Sequence, residues 1–134
     1  MLIKKNSIYS MNILKIEETK HTPFVLLDAE QNILRIEGRS LPENTGEFYK
    51  NILLWIGNYM QESPKKTSLI IDLDYFNTAS AKALFSIFRK LEALHEISQQ
   101  VDIVWYYDID DEDMKETGED FQKIFKIPTV LQSK

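Results

Sequence analysis

One stretch constrains the fold of this chain more than any other, a nearly continuous apolar run at residues 67–73. Runs of this kind are typical of a central strand in a parallel sheet, covered on both faces. A helical pattern follows it, and then a second apolar run at residues 101–107. The order strand, helix, strand predicts parallel pairing through a right-handed crossover. The apolar face of that helix is expected to comprise Ala81, Leu84, Phe85, Phe88, Leu91 and Leu94.

The segment before this unit predicts a hairpin and another helix. Residues 24–28 and 33–38 flank a polar turn, and the second of them alternates between apolar and polar positions. This pattern is typical of an antiparallel hairpin. Asn44 can cap a helix, with Glu47 three residues later completing a capping box. The apolar stripe of this helix is expected to comprise Phe48, Ile52, Trp55, Ile56 and Tyr59.

The remaining segments complete one domain. A weak strand pattern lies at residues 12–17, and an acidic loop leads into a helix before a short strand or tail at 127–131. We therefore predict a single α/β domain with a mixed β-sheet, an N-terminal antiparallel hairpin and parallel βαβ crossovers. A chain of 134 residues is long enough for one such domain. We expect residues 1–11 to be a flexible N-terminal extension and residues 12–131 to be the folded domain.

The composition excludes several classes of protein. The absence of cysteine excludes a disulfide framework, a thiolate zinc site, an iron–sulfur cluster and a cysteine nucleophile. The 43% hydrophobic content fits a globular chain. Because the sequence shows no apolar stretch of signal-peptide or membrane-span length, we expect a cytoplasmic protein with no membrane partner.

The charge is acidic and unevenly distributed. The net charge is −5, and residues 108–120 hold eight acidic side chains against one lysine, so the rest of the chain is slightly basic. A nucleic acid partner is disfavoured, since such partners need a clustered basic face. The acidic segment lacks the glycine and carboxylate spacing of an EF-hand calcium loop. A solvated acidic surface is the preferred interpretation.

Catalytic interpretations find little support. His21 and His95 are too isolated to suggest a metal site, and the four glycines form no phosphate-binding loop. Asp72 and Asp74 leave one alternative open, a small magnesium-dependent enzyme, because they share a face at the carboxyl end of a parallel strand. The preferred interpretation is that one carboxylate caps the following turn and the other faces solvent.

Residues 72–82, which we call the strand–helix junction, carry the strongest functional signal. Its distinctive residues are Asp72, Asp74, Tyr75, Phe76, Asn77, Thr78, Ser80 and Lys82. The aromatic pair is of the kind that stands exposed for docking, and Asn77 is a good helix cap. A phosphate on Thr78 or Ser80 would meet free backbone N–H groups and the positive end of the helix dipole. From the residues alone, the preferred interpretation is that both hydroxyls merely cap the helix.

A phosphate at the junction would change the local charge sharply. It adds about −1.5 to −2 charge beside Asp72 and Asp74, which repel it, while Lys82 can offset part of that repulsion. A partner docking on the aromatic pair would sense both the charge and its hydration. The junction is therefore a candidate phosphorylation switch.

Several stretches together resemble the SiaC family of bacterial regulatory phosphoproteins. The junction itself, with the letters DLDYFNTASAK at 72–82, resembles the family's signature. The letters TKHTP at 19–23, followed by Leu27 and Asp28, resemble its opening. The letters GRSLPEN at 38–44 resemble its middle, together with Phe48, Tyr49 and Trp55. The resemblance covers roughly residues 12–130.

The resemblance implies a SiaC-like regulatory domain with a fold related to STAS anti-sigma-factor antagonists, with no catalysis and no cofactor. It implies that Thr78 is phosphorylated by a partner protein kinase and dephosphorylated by a PP2C-type phosphatase. The unphosphorylated form would bind and activate a diguanylate cyclase, raising cyclic di-GMP and promoting biofilm formation. The residues expected to bind partners are Asp72, Asp74, Tyr75, Phe76, Asn77, Ser80 and Lys82. A different signalling target, or an anti-sigma-factor antagonist of the stricter STAS kind, remains an alternative.

Overall fold

The computed structural model describes residues 12–134, which form a six-stranded sheet and three helices. The strands are β1 (Ile13–Ile16), β2 (Phe24–Asp28), β3 (Ile33–Ser40), β4 (Thr67–Phe76), β5 (Val101–Tyr107) and β6 (Thr129–Ser133). The helices are α1 (Thr45–Gln61), α2 (Thr78–Ser98) and α3 (Glu112–Ile124). The predicted extension at residues 1–11 lies outside the described residues.

The sheet order β1-β2-β3-β4-β5-β6 follows the chain. The first three strands pair antiparallel, and the pairs from β3 to β6 are parallel. Each parallel pair is joined by one helix, and right-handed crossovers in this order place α1, α2 and α3 on the same face of the sheet. The predicted α/β domain with a mixed sheet and an antiparallel N-terminal part is confirmed.

The prediction that the central strand is covered on both faces is wrong. Alternate residues of β4 are fully buried under the helices, whereas Ser68, Ile70 and Asp72 on the other face are only partly buried. The opposite face instead carries ion pairs on neighbouring strands, including one between Arg35 and Glu37. Ile70 misled the prediction, because an apolar residue on the solvated face hides the two-residue alternation of the strand.

Helix α1 begins as expected but buries a slightly different stripe. The Asn44 side chain accepts a hydrogen bond from the Glu47 backbone N–H at 3.0 Å, so the predicted cap is confirmed. Four of the five predicted core positions are buried, but Tyr49 is buried in place of Phe48. Phe48 lies at the margin and contacts the Tyr49 ring edge-on, with 5.0 Å between ring centroids.

Helix α2 is rotated slightly from the predicted orientation. Its buried residues are Ser80, Leu84, Ile87, Phe88, Leu91 and Leu94. Ala81 and Phe85 are therefore only partly buried, contrary to the prediction. Phe85 turns towards α3 and the residues after it, with ring centroids 5.7 Å from Phe121 and 4.7 Å from Phe125. The sequence period alone could not show this, because the aromatic partners come from a distant helix.

Helix α3 packs against the sheet through a small aromatic core. The Phe121 ring lies 4.8 Å from Phe88 and 5.2 Å from Trp105, centroid to centroid. Gly118 permits this close approach, since a Cβ there would lie 2.6 Å from Trp105 Cδ1. The inner side of α3 thus packs closely against Trp105 of the sheet, and the acidic residues of α3 lie on its outer side.

Candidate functional site

An irregularity in β4 shapes the strand–helix junction. Gly38 of β3 pairs with Leu73, but Arg39 pairs with Tyr75, so Asp74 is an extra residue with no partner in the register. An extra residue of this kind is a β-bulge, and it exchanges the faces of the residues that follow it. After the bulge Phe76 turns towards the helices and Tyr75 turns outwards.

The two aromatic residues of the junction therefore differ in role. Phe76 packs edge-on against Trp105, with 6.1 Å between ring centroids, and is partly buried. Tyr75 is 46% exposed, and the Arg39 guanidinium lies 5.6 Å from its ring centroid. The expectation of an exposed aromatic pair is thus wrong for Phe76, because the bulge was not visible in the sequence.

Beneath the junction lies a buried cluster of three hydroxyls, which we call the hydroxyl cluster: Ser40, Tyr49 and Ser80. The Ser40 hydroxyl oxygen lies 2.7 Å from the Tyr49 hydroxyl and 2.8 Å from that of Ser80. Ser80 also donates to the Ser40 carbonyl oxygen at 2.9 Å. One arrangement satisfies all three contacts: Tyr49 donates to Ser40, Ser40 to Ser80, and Ser80 to that carbonyl.

The hydroxyl cluster joins three elements at the start of α2. The Ser40 carbonyl also accepts the Asn77 backbone N–H at 3.1 Å, so β3 and the cap of α2 are tied together. Burial raises the pKa of the Tyr49 hydroxyl, against a smaller lowering by its serine partners, so it remains a proton donor. Sequence reasoning gave Ser40 and Tyr49 no role, although both lie in stretches that resemble the family.

Thr78 and Ser80 occupy opposite environments within one helical turn. Thr78 is exposed, and none of residues 12–134 forms a hydrogen bond with its hydroxyl, whereas Ser80 is 0% exposed. The cap of α2 is the Asn77 side chain, which accepts the Ser80 backbone N–H at 2.8 Å. The interpretation that both hydroxyls merely cap the helix is therefore wrong.

The carboxylates of Asp72 and Asp74 both lie near the ammonium group of Lys134, which is distant in the sequence. The Lys134 ammonium donates to Asp72 and lies 3.9 Å from Asp74. The hydrogen bond to Asp72 raises the pKa of Lys134, partial burial lowers it, and nearby carboxylate charges raise it again. Neither carboxylate caps the following turn, which corrects the preferred sequence interpretation, although Asp74 is 65% exposed.

An open acidic depression of about 690 Å³ lies beside Asp74. Its carboxylates include Asp108, which accepts the Asp110 backbone N–H, and Asp111, which caps α3 through Met114. Within residues 12–134 no group of three or more acidic or histidine side chains could hold a metal ion. In the same part of the chain, no helix has the length and apolar character to cross a bilayer.

A shallow groove of about 320 Å³ runs along the outer side of α2 from Thr78. We call it the α2 groove, and it is lined by Thr78, Ala81, Lys82, Phe85, Ser86, Arg89 and Phe121. The partly buried ring of Phe85 and the buried ring of Phe121 lie on its apolar side, together with the cations Lys82 and Arg89. Of these residues, Thr78 and Lys82 were predicted from the sequence, whereas Arg89 was not.

These features define a class of protein by its surface. The exposed hydroxyl of Thr78 lies at the first residue of α2. The buried hydroxyl cluster binds the same end of that helix to β3 and α1, and the α2 groove begins beside Thr78. This arrangement suits a regulatory α/β protein on which other proteins dock. Comparison with known families identifies the class. Residues 16–134 match the SiaC family regulatory phosphoproteins, and the chain belongs to that family. The predicted family is confirmed.

The chain is similar to three proteins or structures from Pseudomonas aeruginosa. A protein described as uncharacterised is 30% identical over 123 residues, 92% of this chain and 98% of that one. The structure of apo-SiaC has a TM-score of 0.85 at 29% identity, covering 91% of this chain and 99% of that chain. The structure of the diguanylate cyclase SiaD in complex with its activator SiaC matches with a TM-score of 0.86 at 30% identity, covering 90% and 99%.

Proposed function

We propose that this chain is a non-enzymatic, cytoplasmic switch protein controlled by reversible phosphorylation of Thr78. In its unphosphorylated form it binds and activates a diguanylate cyclase, or a similar signalling enzyme, and so raises cyclic di-GMP. A protein kinase adds the phosphate, and a PP2C-type phosphatase removes it. The support comes from the family and from a SiaC relative that activates the cyclase SiaD with which it was solved.

The observation that carries the choice of residue is the contrast between Thr78 and Ser80. A kinase must place the hydroxyl in its active site, and only the Thr78 hydroxyl is accessible on the folded surface. Modification of Ser80 would require α2 to separate from β3, because Ser80 bonds both the Ser40 side chain and its carbonyl. Thr78 is therefore the site in this proposal.

The charge around Thr78 explains how a phosphate would act. A phosphothreonine at the first position of α2 gains from the helix dipole, so modification leaves the fold intact. On the outer surface it places about two negative charges at one end of the α2 groove, where a partner would otherwise pack. Burying such a group against a partner without a paired cation is costly, so docking is lost.

The proposal is tested with the cyclase from the same organism and a matched set of variants. Thr78→Ala is expected to stimulate cyclic di-GMP synthesis like the unmodified chain and to keep doing so after incubation with the kinase. Thr78→Glu is expected to stimulate weakly. A wild-type chain that loses stimulation only with kinase and ATP, and regains it with a PP2C-type phosphatase, completes the cycle.

The contrary results are equally clear. If Thr78→Ala and Thr78→Glu both behave like the unmodified chain, Thr78 does not control the target. If the partner that co-purifies is an anti-sigma factor, the switch belongs to the stricter STAS kind. The chain can also be assayed without the cyclase. If the chain alone catalyses cyclic di-GMP synthesis or another magnesium-dependent reaction, and Asp74→Asn abolishes that reaction, the chain is itself an enzyme.

A further inference from the structure

We propose that the hydroxyl cluster positions Thr78 for phosphorylation. Tyr49 is then a positioning residue, which acts through Ser40 and Ser80 and does not meet the kinase itself. This inference rests on the proposed function and adds how the chain presents the hydroxyl that is modified. The cluster holds the first turn of α2 in one conformation, so the kinase meets Thr78 already in place.

Thr78 lies between two residues that are tied to the same carbonyl group of β3. The Ser40 carbonyl oxygen accepts the Asn77 backbone N–H at 3.1 Å and the Ser80 hydroxyl at 2.9 Å. The Asn77 side chain also accepts the Ser80 backbone N–H at 2.8 Å. The backbone on both sides of Thr78 is therefore fixed, although Thr78 itself is exposed.

Tyr49 extends this tie to a second helix. Its hydroxyl lies 2.7 Å from the Ser40 hydroxyl, which in turn lies 2.8 Å from that of Ser80. Tyr49 is 1% exposed and both serines are buried, so these hydroxyls depend on one another for their hydrogen bonds. The position of the first turn of α2 therefore depends on a side chain from α1.

The hydrogen bonds of the cluster contribute direction more than stability. Burying a hydroxyl costs desolvation free energy that its hydrogen bonds roughly offset, so apolar side chains of the same shape would stabilise the fold about as well. Apolar packing tolerates small rotations, whereas hydrogen bonds need particular distances and angles. The hydroxyl cluster therefore restricts how α2 turns about its own axis, and with it the direction in which Thr78 points.

A fixed first turn matters for phosphoryl transfer. The attacking hydroxyl must lie in line with the transferred phosphoryl group, and a misplacement of about 1 Å can lower the rate about a hundredfold. Because α2 already holds Thr78 in one conformation, little chain entropy remains to be lost when the kinase binds. A loosened first turn would reach the aligned geometry less often, even though Thr78 stays exposed.

Tyr59 offers a matched control on the same helix. It is 4% exposed, and its hydroxyl lies 2.6 Å from the Thr67 hydroxyl and donates to Asn32 at 2.8 Å. Burial raises the pKa of the Tyr59 hydroxyl as it raises that of Tyr49, so the two groups are chemically alike. Thr67 begins β4, about 30 Å along the strand from Phe76, since each residue rises by about 3.3 Å.

The first experiment compares phosphorylation of the wild-type chain, Tyr49→Phe and Tyr59→Phe by the kinase from the same organism. Each variant removes one buried hydroxyl and keeps the ring, so both should lose similar stability. Tyr49→Phe is expected to lower kcat for phosphorylation of Thr78 by about tenfold with little change in KM, because the misaligned hydroxyl remains accessible. Tyr59→Phe is expected to react like wild type.

Three results of this comparison would overturn the inference. Tyr49→Phe could react at the wild-type rate, or both variants could be slowed equally, which would show a merely structural role. Faster phosphorylation of Tyr49→Phe would show that the kinase takes up an opened first turn. Thermal melts of the three chains set an assay temperature at which all of them are folded.

The same assay separates this inference from the proposed function. If the kinase places no phosphate on Thr78 of the wild-type chain, the proposed function fails, and this inference fails with it. If wild-type Thr78 is phosphorylated and both tyrosine variants react at the wild-type rate, the switch stands and the positioning role is wrong.

A second experiment needs no kinase and measures the first turn of α2 directly. The Ala81 backbone N–H donates to the Asn77 carbonyl at 2.9 Å, so its hydrogen exchange reports opening of that turn. Tyr49→Phe is expected to accelerate this exchange about tenfold, and Tyr59→Phe is expected to leave it unchanged. Acceleration at Ala81 by both variants alike, or by neither, contradicts a positioning role for Tyr49.

Discussion

The inner and outer sides of the first turn of α2 differ in burial and in hydrogen bonding. On the inner side, Ser80 is sealed in the hydroxyl cluster, and each hydroxyl there has a partner. On the outer side, Thr78 is exposed beside a groove with an apolar floor. Two hydroxyl residues of nearly the same chemistry, two positions apart, thus lie in opposite environments: Ser80 is hydrogen-bonded in the core, and Thr78 is exposed at the surface.

This contrast explains how the proposed switch would operate without a loss of stability. The inner side holds β3, α1 and α2 together through hydrogen bonds between buried hydroxyl groups. A charge added on the outer side therefore alters the surface and leaves the packing alone. Changes on the inner side should affect stability, and changes on the outer side should affect partner binding.

The sharpest test of the contrast is the same substitution on both sides. Ser80→Val removes two hydrogen bonds and forces a larger side chain into a packed site, so we expect a loss of about 3 kcal/mol in the free energy of unfolding. Thr78→Val should change it by less than about 0.5 kcal/mol. Urea denaturation of both variants compares them directly. Equal losses would show that the two sides do not differ as described.

Tyr49→Phe tests whether the hydroxyl cluster works as a chain of donors. It removes the proton that Tyr49 donates to Ser40 but preserves the ring, so we expect a loss of about 1–2 kcal/mol. The pair with Ser40→Ala should be non-additive, because both variants break the same hydrogen bond. Additive losses in a double-mutant cycle would show that the Tyr49 and Ser40 hydroxyls do not stabilise the fold through a shared hydrogen bond.

Asn77 lies between the two sides, and its replacement should have an intermediate effect. Asn77→Ala removes the side-chain oxygen that accepts the Ser80 backbone N–H, which should cost about 1 kcal/mol, whereas Asn77→Gly should cost only a few tenths. Circular dichroism during denaturation measures both. A larger loss for glycine than for alanine would show that the cap is not what Asn77 contributes.

The smallest effect is expected at the outer ion pair of Lys134 and Asp72. Because its folded pKa is raised, Lys134 contributes stability at neutral pH that is lost as the pH rises above the usual lysine range. The Lys134 side chain is 40% exposed, so Lys134→Ala should cost less than about 1 kcal/mol and cost less still in high salt. A loss that persists unchanged at pH 12 would contradict this assignment.

Local patterns predicted the elements well, and long-range contacts account for what they missed. The caps at Asn44 and Asn77 and the strand at Val101–Tyr107 depend on neighbouring residues, and all three are confirmed. The inward turn of Phe76 depends on a bulge against β3, which no local period reveals. The pairing of Lys134 with Asp72 joins residues 62 positions apart.

The candidate site shows the same division. The strand–helix junction was found from its letters, and the resemblance singled out Thr78. That Ser80 is sealed while Thr78 is exposed required the contacts of Ser40 and Tyr49, which come from other elements. The position of the Arg89 guanidinium likewise depends on contacts with Phe125 and Glu92 that the sequence does not reveal.

The central claim is that one accessible hydroxyl, Thr78, decides whether a target binds. The most direct measurement is calorimetric titration of the cyclase with chain phosphorylated stoichiometrically at Thr78 alone, beside the unmodified chain and Thr78→Ala. We predict tight binding for the last two, binding at least about 30-fold weaker for the phosphorylated chain, and near-identical thermal melts for all three. Equal affinities with and without the phosphate would contradict the account.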